Sequence, residues 1–249
     1  MSAYALITGG SRGIGAEIAR RLAKDGFKVV INYSSSSSAA DALVAELDQA
    51  HGKGTAFAIQ ADISSDEGRT KLAKETLEHT GGQLGSLIHN AAVGQLDQSL
   101  EKLDPEIVDK ILNTNVKAPL FLSKAFAPHM ADGSSMVFFS TGLTRSNAMA
   151  PDGLVYTASK GAIEQIVRYL GKSLAVRGIR VAGIAPGPTA TDMFLKPKTQ
   201  QQIDFIAGLS AFKRLGKPEE IAAAVAFLVS KDASWVAGTT LHVNGATQV

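Results

Sequence analysis

TGGSRGIG, Thr8 to Gly15, joins the apolar run AYALIT to the amphipathic run AEIARRLAKDG. Glycines at 9, 13 and 15 let the backbone turn tightly and bring its N–H groups close to whatever lies outside. A helix that begins here has its first N–H groups unpaired at the positive end of its dipole, which suits a pyrophosphate. A glycine-rich turn alone is a weak signal. The strand before it, the helix after it and a further strand, KVVINY, ending about twenty residues on supply the required context.

The same alternation runs outward from that turn. TAFAIQA, SLIHNA, SMVFFS, IRVAGIAP and TTLHV read as strands; AADALVAELDQAHG, EGRTKLAKETLEHTG, residues 105–130, residues 156–178 and PEEIAAAVAFLVS read as helices. Strands alternating with helices imply right-handed crossovers and helices on both faces of one twisted sheet. The expected fold is α/β, a doubly wound, mostly parallel, Rossmann-like sheet. No linker divides residues 1–249, so one domain is expected.

Composition removes other classes. The chain has 249 residues, 45% of them hydrophobic, and no cysteine, which excludes disulfides, thiolate metal sites and a cysteine nucleophile. Its five histidines never fall at the spacing of a helical metal pair, so no metal is expected. A formal charge of +2, spread along the chain, gives no basic stripe for nucleic acid or anionic lipid. No apolar run approaches the eighteen or so residues of a membrane span, and the N-terminus lacks a secretory pattern. A soluble, cytoplasmic protein is expected.

The second strand ends INYSSS, so Tyr33 and Ser34 stand where an acid would bind the adenosine ribose of NAD and repel a 2′-phosphate. Arg12, inside the glycine turn, adds positive charge. Together they favour NADP(H). The serine run 34–38 also reads as a flexible turn before the second helix.

In VYTASKGAIEQIV, Tyr156 precedes Lys160 by four residues, one helical turn, whereas Tyr4, Tyr33 and Tyr169 are followed at that spacing by Thr8, Ser37 and Ser173. At about 5 Å and an effective dielectric near 20, the ammonium favours the phenolate by about 3 kcal/mol, bringing a phenol from near 10 to roughly 8. That is close enough to neutrality for proton transfer.

These motifs together resemble the short-chain dehydrogenase/reductase family along essentially the whole chain. TGGSRGIG matches its TGxxxGxG turn, with Ser11 and Ile14 among the cofactor contacts. Ala61-Asp62, followed by Ile63, matches its adenine-binding segment, and Asn90-Ala91 its strand-four motif. Asn115 matches its helix-four asparagine, YTASK its Tyr-x-x-x-Lys, and PGPTATDM its segment past strand six. The tail, RLGKPEEIAAAVAFLVS and GTTLHVNG, is similar to 3-oxoacyl reductases and fungal polyketide-ketone reductases.

The resemblance implies reversible hydride transfer between NADP(H) and a ketone, with Tyr156 as proton donor and Lys160 also holding the nicotinamide ribose. Pro186, Gly187, Thr189 and Thr191 are implied to lie against the nicotinamide, and Asn115 to hold a water that relays protons to Lys160. A second hydroxyl should polarise the carbonyl. Thr141 falls in the family's serine column with Ser140 just before it; either can serve. Ala92 stands where the family commonly has glycine. A non-catalytic NADP-binding sensor on the same fold is the alternative, against which Asn115, Tyr156 and Lys160 argue.

Residues 188–215 read as a long insertion beside the site. Phe194, Leu195, Phe205, Ile206, Leu209 and Phe212 there form either a lid or the anchor of a short helix. As a lid they would enclose a bulky, mainly apolar ketone with Leu143, Met149 and Leu154. The helices around 104–130 and 156–177 carry more apolar surface than one sheet face needs, and the resemblance implies a homodimer or homotetramer.

Overall fold

The computed structural model describes residues 3–147 and 150–248; Met149 lies outside the described residues. All seven apolar runs form strands: β1 (Tyr4–Ile7), β2 (Lys28–Tyr33), β3 (Ala56–Gln60), β4 (Ser86–His89), β5 (Ser135–Phe139), β6 (Arg180–Pro186) and β7 (Thr240–Val243). They build one parallel sheet in the order β3-β2-β1-β4-β5-β6-β7. The strand order reverses between β1 and β4, and open sheets of this kind bind ligands outside the carboxyl ends of the strands at that point.

The helices are α1 (Gly13–Lys24), α2 (Ser37–His51), α3 (Asp66–Thr80), α4 (Pro105–Leu112), α5 (Ala118–Phe126), α6 (Leu154–Ala175), α7 (Asp192–Leu195), α8 (Gln200–Leu209) and α9 (Pro218–Val229). Strand side chains alternate between faces, so each strand feeds two cores. Ala5, Ile7, Val29, Ile31, Val137 and Ile184 pack under α1, α2 and α9 against Ile18, Leu22, Leu43 and Val225. Leu6, Val30, Leu87, Met136, Phe138 and Val181 pack under α3, α5 and α6 against Leu72, Leu122, Phe126 and Val167. Phe126 is fully buried, so Phe126→Ala would cost about 3–5 kcal/mol. Among the described residues no helix is long and apolar enough to cross a membrane.

Two expectations change. The segment 105–130 is broken: α4 gives way to a π turn, Asn113–Lys117, before α5 resumes. Pro119 has no N–H to donate to the Asn115 carbonyl, and the Ala118 N–H reaches back five residues to Asn113. Segment 188–215 holds two helices, α7 and α8, rather than one short one. Thr199 and Gln202 form a capping box that starts α8, and the ends of the excursion are joined where Ala190 N–H donates to Gly216 O and Gly216 N–H to Pro188 O, both at 2.9 Å.

Candidate active site

The glycine turn is held from three strands. Asn90, after β4, donates through Nδ2 to the carbonyls of Thr8 (3.0 Å) and Gly9 (3.1 Å). Thr8 Oγ1 accepts from Ala91 N–H at 3.1 Å. Asn32, buried in β2, accepts from Gly10 N–H through its carbonyl and donates to Ala61 O at 3.0 Å, tying the turn to the end of β3. A Cβ on Gly15 would collide with the Gly9 carbonyl and lie 2.7 Å from Asn90 Nδ2, so only glycine fits there. Gly13 adopts φ +55, the left-handed region that favours glycine.

The start of α1 fits a dinucleotide. Arg12 at its N-cap gives no side-chain hydrogen bond, and the first turn holds no acid, so its N–H groups and positive dipole end keep their preference for an anion. Ser11 is buried, Ile14 half-buried and Arg12 exposed. At the neighbouring strand ends Tyr33 is half-buried and Ser34 exposed. Ala61 N–H pairs with Tyr33 O at 2.9 Å, which brings Asp62 beside them; its carboxylate accepts from Ser64 N–H (3.0 Å) and Oγ (2.8 Å). Ile63 is buried in the core. Past β6, Gly187 is pressed against Asn244, and Thr189 donates to Gly187 O at 2.9 Å. Thr191 caps α7 and lies against Gly13, next to the glycine turn.

Tyr156 is in the first turn of α6 and Lys160 in the second. Lys160 is 3% exposed, donates from Nζ to Phe139 O at 2.7 Å and stands 5.9 Å from the centre of the Tyr156 ring. The Thr141 side chain lies near enough to the Tyr156 phenol to favour its ionised form. Ser140 points elsewhere: its hydroxyl donates to Glu164 Oε1 at 2.8 Å. The structure thus separates two hydroxyls that the sequence left equivalent.

Asn115, in the π turn, is fully engaged through its side chain. Oδ1 accepts from Val93 N–H at 2.8 Å, and Nδ2 donates to Val93 O and Ser159 Oγ, each at 3.1 Å. Ser159 in turn donates to Tyr156 O at 2.6 Å. Asn115 therefore couples the loop after β4 to the start of α6, with both Nδ2 hydrogens used and one lone pair of Oδ1 occupied; its backbone carbonyl, which Pro119 cannot serve, lacks an ordinary helical partner.

The electrostatics correct the expected phenol. Burial pushes Tyr156 above its ordinary value of 10, and the nearby Thr141 side chain opposes this without reversing it. Burial also brings Lys160 down to about 8. Desolvation penalises both charged forms, and the lysine spends its shortest contact on a carbonyl, so its charge does not dominate the phenol.

The apolar residues of 188–215 divide. Phe194 and Leu195 are half-buried, with Lys198 Nζ 4.2 Å over the Phe194 ring. Met193 Sδ reaches to 3.2 Å from where a Cβ on Gly94 would sit, so α7 touches the loop after β4. Leu96 and Leu154 are 46% and 45% exposed, Met193 65%, and Leu143 half-buried. Phe205, Leu209 and Phe212 remain 70%, 52% and 70% exposed. Ile206 and Phe212 line a cavity of about 310 Å³ that also includes Pro188, His242 and Asn244; Tyr156 is not part of it. Among the described residues no cluster of three His, Asp or Glu could hold a metal ion.

A glycine turn at a helix start, with a Tyr–Lys pair across the strand ends, defines a dinucleotide-dependent oxidoreductase. The chain belongs to the short-chain dehydrogenase/reductase family. A family profile described as enoyl-(acyl carrier protein) reductase matches residues 9–247. Versicolorin reductase 1 of Aspergillus parasiticus is 37% identical, covering 97% of this chain and 94% of its own. A short-chain dehydrogenase of Burkholderia cenocepacia in complex with NADP is 34% identical, with TM-score 0.91, over 98% of this chain and 97% of its own. An angucycline C-6 ketoreductase with bound NADP is 32% identical, with TM-score 0.91, over 98% and 95%.

Sequence reasoning missed Asn32, Ser159 and Glu164. Asn32 carried a signal, a lone amide inside the apolar strand KVVINY. Ser159 and Glu164 carried none beyond lying near Lys160.

Proposed function

We propose that the protein is an NADPH-dependent reductase that converts a bulky, mainly apolar ketone to a secondary alcohol. The observation that carries this reading is Tyr156 with buried Lys160 5.9 Å behind its ring, the lysine tied to Phe139 O at the end of β5, and Thr141 just beyond that strand close to the phenol. Two hydroxyls side by side offer a carbonyl oxygen two donors. NADPH, when bound, supplies the hydride. As negative charge grows on the substrate oxygen, Thr141 stabilises it and Tyr156 gives up its phenolic proton, so that the alkoxide becomes the alcohol. A phenol held above 10 is protonated at neutral pH, as reduction requires. Lys160 stabilises the phenolate left behind, and the proton returns through it; the Asn115 carbonyl is the group that would hold a relaying water.

For the cofactor, Gly9, Ser11, Gly13, Ile14 and Gly15 would hold the pyrophosphate against α1. Arg12, Tyr33 and Ser34 would take the 2′-phosphate, and Asp62 and Ile63 the adenine. Asn90, Pro186, Gly187 and Thr189 would flank the nicotinamide, with Thr191 nearer the pyrophosphate. The NADP-bound relatives support this preference. Leu96, Leu154 and Met193, exposed around the mouth, would cover the apolar part of the substrate, with α7 as the lid.

The description of the family profile favours a second reading, reduction of an enoyl thioester, since the same two donors could protonate an enolate oxygen. Following NADPH absorbance with aryl ketones, cyclic ketones, acetoin and a crotonyl thioester separates these. Higher kcat/KM for the bulky ketones is expected. Equal efficiency with acetoin would contradict the apolar site, and preference for the thioester would establish the second reading.

A further inference from the structure

We infer that Glu164 is a positioning residue that sets the Thr141 hydroxyl beside Tyr156; the inference rests on the proposed role of Thr141. Tyr156, Lys160 and Glu164 follow one another at four-residue spacing along one face of α6. Glu164 does not reach the phenol; it reaches the segment that carries Thr141. Its Oε1 accepts from Ser140 Oγ at 2.8 Å and contacts Thr144 Oγ1 at 2.7 Å. Ser140 is also fixed in the sheet, where its N–H donates to Ile184 O at 2.8 Å. Thr144 Oγ1 lies 2.8 Å from the Thr141 carbonyl.

One carboxylate oxygen therefore ties the residue before Thr141, and the turn after it, to the helix that carries the proton donor. Within that clasp Thr141 Oγ1 accepts from Leu143 N–H at 3.4 Å, which occupies a lone pair and leaves its proton for donation. The clasp also explains why Ser140, although adjacent, is not the second donor: its proton is taken by Glu164.

Glu164 also acts electrostatically on His242 of β7, which feels Arg145 as well. The test must therefore separate charge from hydrogen bonding. Glu164→Gln keeps an acceptor oxygen, whereas Glu164→Leu removes it. Measured as kcat, substrate KM and NADPH Kd, Glu164→Leu should lower kcat about tenfold or more with NADPH Kd within about twofold, and Glu164→Gln should recover to within about threefold of wild type. In a Thr141→Val background Glu164→Leu should cost almost nothing further, because residues acting through one another are non-additive.

Equal losses in both backgrounds, an unaffected kcat in Glu164→Leu, or failure of Gln to rescue would overturn the inference. Should Glu164→Leu not fold, the Ser140→Ala/Thr144→Val variant, which removes both donors to the carboxylate, must show the same non-additivity with Thr141→Val; additivity there overturns it equally. If Thr141→Val itself leaves kcat intact, the role of Thr141 fails and this inference falls with it. A large Thr141→Val loss that adds fully to Glu164→Leu overturns the inference alone.

Discussion

At the scale of single residues, the proposed chemistry turns on the orientation of two neighbouring hydroxyls. Ser140 and Thr141 differ by one position just past β5, and both face α6, Ser140 meeting Glu164 one level along the helix and Thr141 lying nearer Tyr156. Thr141→Val should therefore lower kcat roughly a hundredfold, as loss of one oxyanion donor does, while Ser140→Ala costs only a few-fold. Steady-state kinetics checks this, and the reverse pattern would return the role to Ser140. The sequence showed that a hydroxyl was available but held no distances with which to choose. It also overrated Lys160, because residue spacing says nothing of desolvation. With its folded value near 8, against an ordinary 10.5, Lys160 loses its proton in the folded chain while the unfolded chain still binds it. Between those values the unfolded state binds more protons, so stability rises with pH. Relative to Lys160→Met, the wild-type protein should gain up to about 3 kcal/mol from pH 7 to pH 10.5 in denaturant unfolding; a flat difference would contradict the burial argument. Tyr33→Asp should shift kcat/KM toward NADH, since a carboxylate repels the 2′-phosphate. A wild-type protein that already prefers NADH would contradict the cofactor assignment.

At the scale of elements, the seven strands were legible because each is a short apolar run between turn residues, and burial on both faces makes such runs stand out. The π turn was not. Apolar residues keep nearly helical spacing through 105–130, so a one-residue slip in the hydrogen-bond ladder leaves the pattern intact, and only Pro119 hinted at it. That turn presents Asn115, whose side chain satisfies both backbone groups of Val93. Asn115→Leu should cost about 2 kcal/mol or more in unfolding free energy by stranding them, together with a loss of kcat; unchanged stability would show that Val93 finds other partners. In 188–215 the capping box at Thr199–Gln202 was readable and marks the start of α8, whereas the division between α7 at the cleft and exposed Phe205 and Phe212 depends on three-dimensional packing. Met193→Ala should lower kcat/KM for bulky ketones more than for acetoin. An equal effect on both would leave α7 without a role in substrate choice.

At the scale of the whole molecule, two cores clamp one sheet, and the ends of β1, β4, β5 and β6 bring the candidate site residues together on one edge. On α4, α5, α6 and the residue after it, Leu112, Leu120, Phe121, Tyr169 and Val176 are 41%, 39%, 47%, 77% and 87% exposed. Large apolar side chains left exposed on three helices favour association, so light scattering at micromolar concentration is expected to give a dimer or tetramer. A mass near 26.0 kDa would contradict this. The central claim, that Tyr156 delivers the proton to a ketone reduced by NADPH, is tested most directly by Tyr156→Phe, with kcat read from NADPH absorbance and NADPH Kd from fluorescence titration. The account predicts a turnover loss of about a thousandfold or more at nearly unchanged Kd, since a general acid contributes roughly 10²–10⁴ and the ring still packs. Turnover within about threefold of wild type, with the phenol gone, would contradict it.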